Sequence, residues 1–185
     1  MRHKFFVLLI AAAFVGGVTA VAAFADASPN FHKGESPTCT TTGTGTTSTT
    51  TTCSGTLYGV GVQDINAATT VQGFAVYTCR NKGGNQAPGQ NQVTAGPSTT
   101  NTVLPASNAV NGHLSFTTNG NTLTVPSTIS GSAAGCPNGN WTGTTPQVTV
   151  TSITLTLSQG GTTFYNCTVS NPSGLPSTVT LPSSC

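Results

Sequence analysis

Six cysteines constrain this chain more than any other feature: Cys39, Cys53, Cys79, Cys136, Cys167 and Cys185. All follow residue 25, where an export signal reads as ending. An even cysteine set in an exported chain is expected to form three disulfides. Zinc is the rival use of cysteine. It is disfavoured, since there is no Cys-x-x-Cys and no His close to any Cys. Many pairings are open to six cysteines, and spacing does not select one. The pairing expected is Cys39–Cys53, Cys79–Cys136 and Cys167–Cys185. The first closes a low-complexity loop, the second joins two Asn/Gly/Pro-rich loops, and the third pins the carboxyl-terminal segment.

Such staples matter because little else can hold the fold. Leu, Ile, Val and Phe supply only 27 of the 160 residues from Asp26 to Cys185. On the chain-entropy account, a bridge closing about 15 residues is worth roughly 3 kcal/mol and one closing about 60 roughly 4 kcal/mol. A chain this poor in apolar residues would be disordered at high net charge. Here Lys33, Arg80 and Lys82 balance Asp26, Glu35 and Asp64. The net charge of this portion is zero, and its apolar residues alternate.

The beginning of the chain reads as a Sec-type signal peptide, residues 1–25. Arg2, His3 and Lys4 precede an unbroken apolar run, Phe5 to Val15. Ala23-Phe24-Ala25 offers small residues at both positions that a signal peptidase reads. An uncleaved anchor is the alternative, since Phe5 to Ala25 is nearly long enough to span a bilayer. The polar segment that follows favours cleavage, so the expected location is secreted and extracellular, off the membrane. Leu175-Pro176-Ser177-Thr178-Val179 is similar to a cell-wall sorting signal. It has Val179 where that signal has Gly, and it reads instead as a strand after a Pro.

The expected domain organisation is a polar leader with a Thr-rich segment over 26–52, then one domain over 53–185. Thr40 to Thr52 is nearly all Thr, Ser and Gly. It suits either an O-glycosylated spacer or an irregular or edge strand. From Cys53 the pattern has period two. Tyr58, Val60 and Val62 alternate over Thr56 to Gln63. Val71, Ala75, Tyr77 and Cys79 share one face, with Phe74 and Val76 on the other, as in a central strand. Asn81 to Gly96 reads as a long loop, and Thr102 to Leu104 as a short strand ended by Pro105.

Asn119-Gly120 is the preferred pair for a type I′ hairpin turn. It would set Phe116 opposite Leu123 and Leu114 opposite Val125. Val148 and Val150 differ in parity from Ile153, Leu155 and Leu157, which calls for a bulge near Thr151-Ser152. After Gln159, a three-residue loop with Gly161 left-handed is preferred to a two-residue one, because it sets Leu155 against Tyr165 and Ile153 against Cys167. A last strand covers Thr178 to Leu181. No helical period is evident after the signal. The expected fold is an all-β antiparallel sandwich, immunoglobulin-like or Greek key. It would have roughly seven to nine short strands and three disulfides.

Few functions survive this composition. Nucleic-acid binding needs clustered cations, and there are none. The thiols are expected to be oxidised, which removes a cysteine nucleophile. A Ser-His-Asp triad would have to recruit Asp64 and His113, with His113 on the polar face of a strand. A carboxylate pair would need Asp64 with Glu35 in the leader. His32 with Glu35, and Asp64 with Asn66, are weak starts for a metal. The expectation is therefore a non-enzyme without cofactor or metal, and a monomer.

Aromatic ligand binding remains. Trp141, Tyr58, Tyr77 and Tyr165 are amphipathic rings. Trp141 lies beside Asn138 and Asn140. A Cys79–Cys136 bridge would bring Asn81, Asn85 and Asn91 near it. A sugar ring stacked on Trp141 with amides on its hydroxyls is the binding picture, with a neutral polysaccharide or another surface protein as partner. The alternative is that Trp141 starts a strand and fills the core. A structural envelope or matrix component with self-associating Thr faces is the second functional class. Thr-x-Thr rows at 122–124, 149–151 and 154–156 could match an ice lattice, but no fixed repeat stacks them, and outward Thr on a sheet is the ordinary explanation.

Cys79-Arg80-Asn81-Lys82-Gly83-Gly84-Asn85-Gln86-Ala87-Pro88-Gly89-Gln90-Asn91 and Cys136-Pro137-Asn138-Gly139-Asn140-Trp141-Thr142 resemble two signatures of small exported β-rich proteins of high-GC Gram-positive bacteria. Val148 to Phe164 is similar as well. That group has no assigned activity, so the resemblance implies export and not a function.

Overall fold

The computed structural model describes residues 28–43 and 47–185. The expected signal peptide, residues 1–25, lies outside the described residues. Two antiparallel sheets face each other, built from eleven strands among the described residues. The first sheet contains β1 (Thr38–Thr42), β2 (Ser48–Tyr58), β6 (His113–Thr117), β7 (Asn121–Thr124) and β11 (Thr178–Thr180). The second contains β3 (Ile65–Arg80), β4 (Gln86–Pro88), β5 (Val93–Leu104), β8 (Thr128–Ser130), β9 (Thr142–Gln159) and β10 (Thr162–Ser170). One helical turn, α1 (Gly131–Ala134), follows β8.

Both sheets use long strands flanked by shorter ones laid end to end. In the first the order is β11, β1, β2, and then β6 and β7 in series along β2. In the second, β3 pairs with β9 over nearly its whole length, β4 and β5 share the far side of β3, and β8 and β10 share the far side of β9. The three-residue strands β4 and β8 are too short to show a period, which is why fewer strands are expected from sequence, while β11 is the expected last strand.

The alternation in β3 is complete: every second residue from Ile65 to Cys79 is buried. Val71, Ala75, Tyr77 and Cys79 point inward, as expected of a central strand. Opposite them stand Cys39, Cys53, Leu57, Leu114, Phe116 and Leu123 from the first sheet. Burial of this set drives the two faces together at roughly 25 cal/mol per Å² of apolar surface. The apolar supply does run short. Thr41, Thr49, Thr51, Thr69 and Asn121 are buried as well. Thr41 and Thr51 bond each other across β1 and β2 at 2.9 Å. The Asn121 amide donates to the carbonyls of Thr69 and Ser98, tying the sheets together.

All three bridges join the expected partners, Cys39–Cys53, Cys79–Cys136 and Cys167–Cys185. Cys39 and Cys53 are directly opposed in the β1–β2 ladder. The expected division at Cys53 therefore does not hold. The Thr-rich segment forms β1 and half of β2, with alternate threonines buried. β1 is no edge strand, because β11 covers its other side. The leader is anchored too: Asn30 pairs with Tyr58, and Phe31 is buried.

Other expectations are corrected. β2 ends at Tyr58 with Leu57 inside, and Val62 is 85% exposed. The 81–96 loop contains β4 and the start of β5. β6 and β7 do not form a hairpin. They run in one direction along β2, and their register slips by one residue: Thr117 faces Ser54, and Asn121 faces Thr51. Thr118 holds the interruption, since its N–H donates to the Cys53 carbonyl and its hydroxyl accepts from the Cys53 N–H. The bulge expected near Thr151 is present, between the pairs Gln72–Ser152 and Gly73–Val150. The β9–β10 turn is a two-residue loop, Gly160-Gly161, with both φ positive (57° and 82°). A bulge at Phe164 then sets Tyr165 opposite Leu157 and Cys167 opposite Leu155, so both point inward, but each two residues from its expected partner, Leu155 and Ile153.

Candidate functional site

β3 ends at Arg80 and turns back through Asn81–Asn85 into β4. Asn81 builds that turn. Its carbonyl accepts from Gly84, and its side-chain oxygen accepts from the Asn85 N–H at 2.9 Å. Across from it, α1 leads into Cys136–Trp141. Ser130 caps α1 by accepting from the Ala133 N–H, and Gly135 closes it in a left-handed conformation. Asn138 then holds a second tight loop. Its side chain accepts from Asn140 N–H at 3.0 Å, and its carbonyl accepts from Trp141 N–H at 3.2 Å.

The Cys79–Cys136 bridge clamps these two loops side by side. Between them lies an open groove of about 410 Å³ lined by Asn81, Lys82, Gly83, Asn138, Asn140 and Trp141. Trp141 is half-buried and packs against the edge of the core. It neither fills the core nor stands free, so one part of the ring is fixed and another faces the groove. Close backbone packing sets its position. A Cβ on Gly131 would lie 2.3 Å from the Trp141 carbonyl oxygen, so only glycine permits α1 to sit there.

Four of the six expected residues, Asn81, Asn138, Asn140 and Trp141, line this groove. Asn85 and Asn91 do not. Asn85 serves the turn through its backbone. The Asn91 side chain donates to the carbonyls of Ser132 and Ala133, at 3.3 and 3.2 Å. It satisfies orphan carbonyls at the end of α1 instead of facing a ligand. The groove is not uncharged, as the neutral reading expects: Lys82 forms part of its wall.

The other aromatic rings are engaged elsewhere. Tyr77 is buried and donates to the Pro126 carbonyl at 2.8 Å. Tyr165 is buried and donates to the Pro182 carbonyl at 2.7 Å, and burial pushes its phenol up to about 12. Tyr58 lies on the outer side of the first sheet. Its ring centroid is 4.4 Å from that of His113 and 5.4 Å from that of His32. Its hydroxyl donates to Glu35 at 3.0 Å, and that bond raises the phenol above its ordinary range. His32 and Glu35 lie in the polar leader, which carries no strand pattern to set them beside Tyr58, so this cluster is not legible in the sequence. Asp64 accepts from the Ala106 N–H at 2.8 Å, fixing a second short helical turn, Ala106–Asn108.

No protein family, no curated protein and no solved structure matches this chain.

Proposed function

We propose that this is a secreted, non-catalytic binding protein that holds a glycan in the groove between the Asn81–Asn85 turn and the Cys136–Trp141 loop. One observation carries the reading: three Asn residues and one half-buried Trp line a single depression, clamped by a disulfide. A sugar ring needs an apolar plate for its C–H face and fixed amides for its hydroxyls, and this set supplies both. The three disulfides support an oxidising, extracellular setting. Pull-down of oxidised protein on insoluble polysaccharides tests it. Retention that falls with Trp141→Ala, in a variant whose melting curve stays cooperative, is the expected result. Undiminished retention of that variant would refute the reading.

A second reading is a structural component that associates through its outer faces. Thr99, Thr70, Thr154 and Thr168 lie in register across four strands of the second sheet. The hydroxyls of Thr70 and Thr99 are 2.8 Å apart, and those of Thr154 and Thr168 2.7 Å. An uncharged ladder of this kind offers a repeat to which a second copy can pair. Scattering that grows with protein concentration supports it, and a constant monomer mass rules it out.

A further inference from the structure

Among the described residues the charges are unevenly placed: Lys33 shares the leader with Glu35, whereas Arg80 and Lys82 lie together far from either acidic side chain. β3 runs 16 residues from Ile65 to Arg80, a span of about 50 Å at 3.3 Å per residue. Asp64 precedes its first residue. Glu35 belongs to the leader segment, which reaches the same end: Pro29 lines a depression with Gln63 and Gln159, and Asn30 pairs with Tyr58. These are the two carboxylate side chains among the described residues. Each is occupied there, Glu35 by the Tyr58 hydroxyl and Asp64 by the Ala106 N–H. Arg80 and Lys82 stand at the other end. Lys82 is exposed in the groove wall, and Arg80 is exposed and pairs in register with Thr142, next to Trp141.

Two cations therefore flank the groove with both described carboxylates far beyond a Debye length, about 8 Å at physiological salt. A neutral glycan would leave these charges unused, whereas a sugar bearing an oxyanion would meet them. We infer that the groove selects acidic glycans, the sugar stacking on Trp141 and its anionic group facing Lys82. The inference rests on the glycan reading above and adds the charge of the ligand. An ammonium is a point charge and does not by itself sort carboxylate from sulfate, so the shared feature is a sugar-borne oxyanion. The two cations also give the molecule an electrostatic direction that favours approach by this end.

The test measures retention on four matrices: a uronic-acid polysaccharide, a sulfated galactan, a neutral glucan, and polyglutamate as a polyanion without sugar. Wild type, Trp141→Ala, Lys82→Met and Arg80→Met/Lys82→Met are compared at low and physiological salt. The expected result is stronger retention on one or both acidic glycans than on the neutral one. The acidic-to-neutral ratio should fall about threefold in Lys82→Met and further in the double variant, the scale of an exposed ion pair. Salt should lower the same ratio. Preference for the uronic-acid over the sulfated matrix, or the reverse, identifies the oxyanion. Equal retention on acidic and neutral glycans, unmoved by the Lys82 change, overturns the charge inference and leaves the glycan reading standing. Retention on polyglutamate that equals the acidic glycans and ignores Trp141→Ala overturns the inference as mere polyanion binding. Retention on none of the sugars defeats both.

Discussion

At the scale of single residues, the polar side chains of this protein are mostly spent on architecture, and Tyr165 shows how that is measured. Its ring meets Phe31 edge-on at 4.9 Å, which fixes the leader to the core. Its hydroxyl holds the Pro182 carbonyl near the Cys167–Cys185 bridge. Burial disfavours the phenolate and pushes the phenol up to about 12. In the unfolded chain it titrates near 10. The folded value is the higher one, so the contribution to stability is complete below pH 10 and is lost as pH rises from about 10 to 12. Urea midpoints should fall over that interval. Tyr165→Phe should lose about 1 kcal/mol at neutral pH with its hydrogen bond and show a shallower alkaline decline. Tyr77 and Tyr58 are raised as well, so some decline remains in that variant. A variant whose alkaline decline matches wild type would contradict the assignment. The site residues follow the same logic. Asn81, Asn138, Asn140 and Trp141 were legible because the Cys79–Cys136 pairing brings their loops together. Asn91 was not, since an amide that satisfies helix carbonyls and one that faces a ligand look identical in sequence. Lys82 was passed over because a lone charge in a loop gives no sign of which way it faces.

At the scale of elements, alternation was a sound guide to which side chains go inside and a poor guide to which strands pair. Leu114 and Phe116 before Asn119-Gly120, and Leu123 and Val125 after it, are all buried as expected. A two-residue hairpin and a bulged, continuing strand place the same residues inward, so the pattern cannot separate them. β2 decides between them by offering eleven residues of ladder along which β6 and β7 lie end to end. The two-residue glycine turn occurs at Gly160-Gly161 instead. There the sequence favoured a longer loop, because it allowed no bulge after the turn. The bulge at Phe164 keeps Tyr165 and Cys167 inward by another route, against Leu157 and Leu155 and not against the expected Leu155 and Ile153. In both places the burial constraint was read correctly, and its several backbone solutions were not resolvable. The Thr-rich tract failed for a different reason. Thr41, Thr49 and Thr51 fill core positions normally held by apolar residues, so the tract carries no hydrophobic period to read.

At the scale of the whole molecule, the bridges act on different distances, and that sets what each contributes. Cys39–Cys53 closes 14 residues within strands already paired by β1 and β2. Cys79–Cys136 closes 57 and ties the end of β3 to the loop that follows α1. Chain entropy assigns about 3 kcal/mol to the first and about 4 kcal/mol to the second. Total stability of a domain this size is about 5–15 kcal/mol. The interior makes that margin thin, since buried threonines replace aliphatic contacts and Thr49 and Thr69 hydroxyls lack a protein partner. Removing Cys79–Cys136 by paired Ser substitution should lower the melting temperature by about 8–16 °C, at roughly 2–4 °C per kcal/mol. It should also weaken glycan retention more than the Cys39–Cys53 double variant does, because only Cys79–Cys136 clamps the two loops that wall the groove. Reduction of all three bridges should leave the chain largely unfolded at ambient temperature by circular dichroism. A reduced chain that melts as high as the oxidised one would mean that the sheets hold themselves, and the groove would then owe its shape to the ladders and not to sulfur.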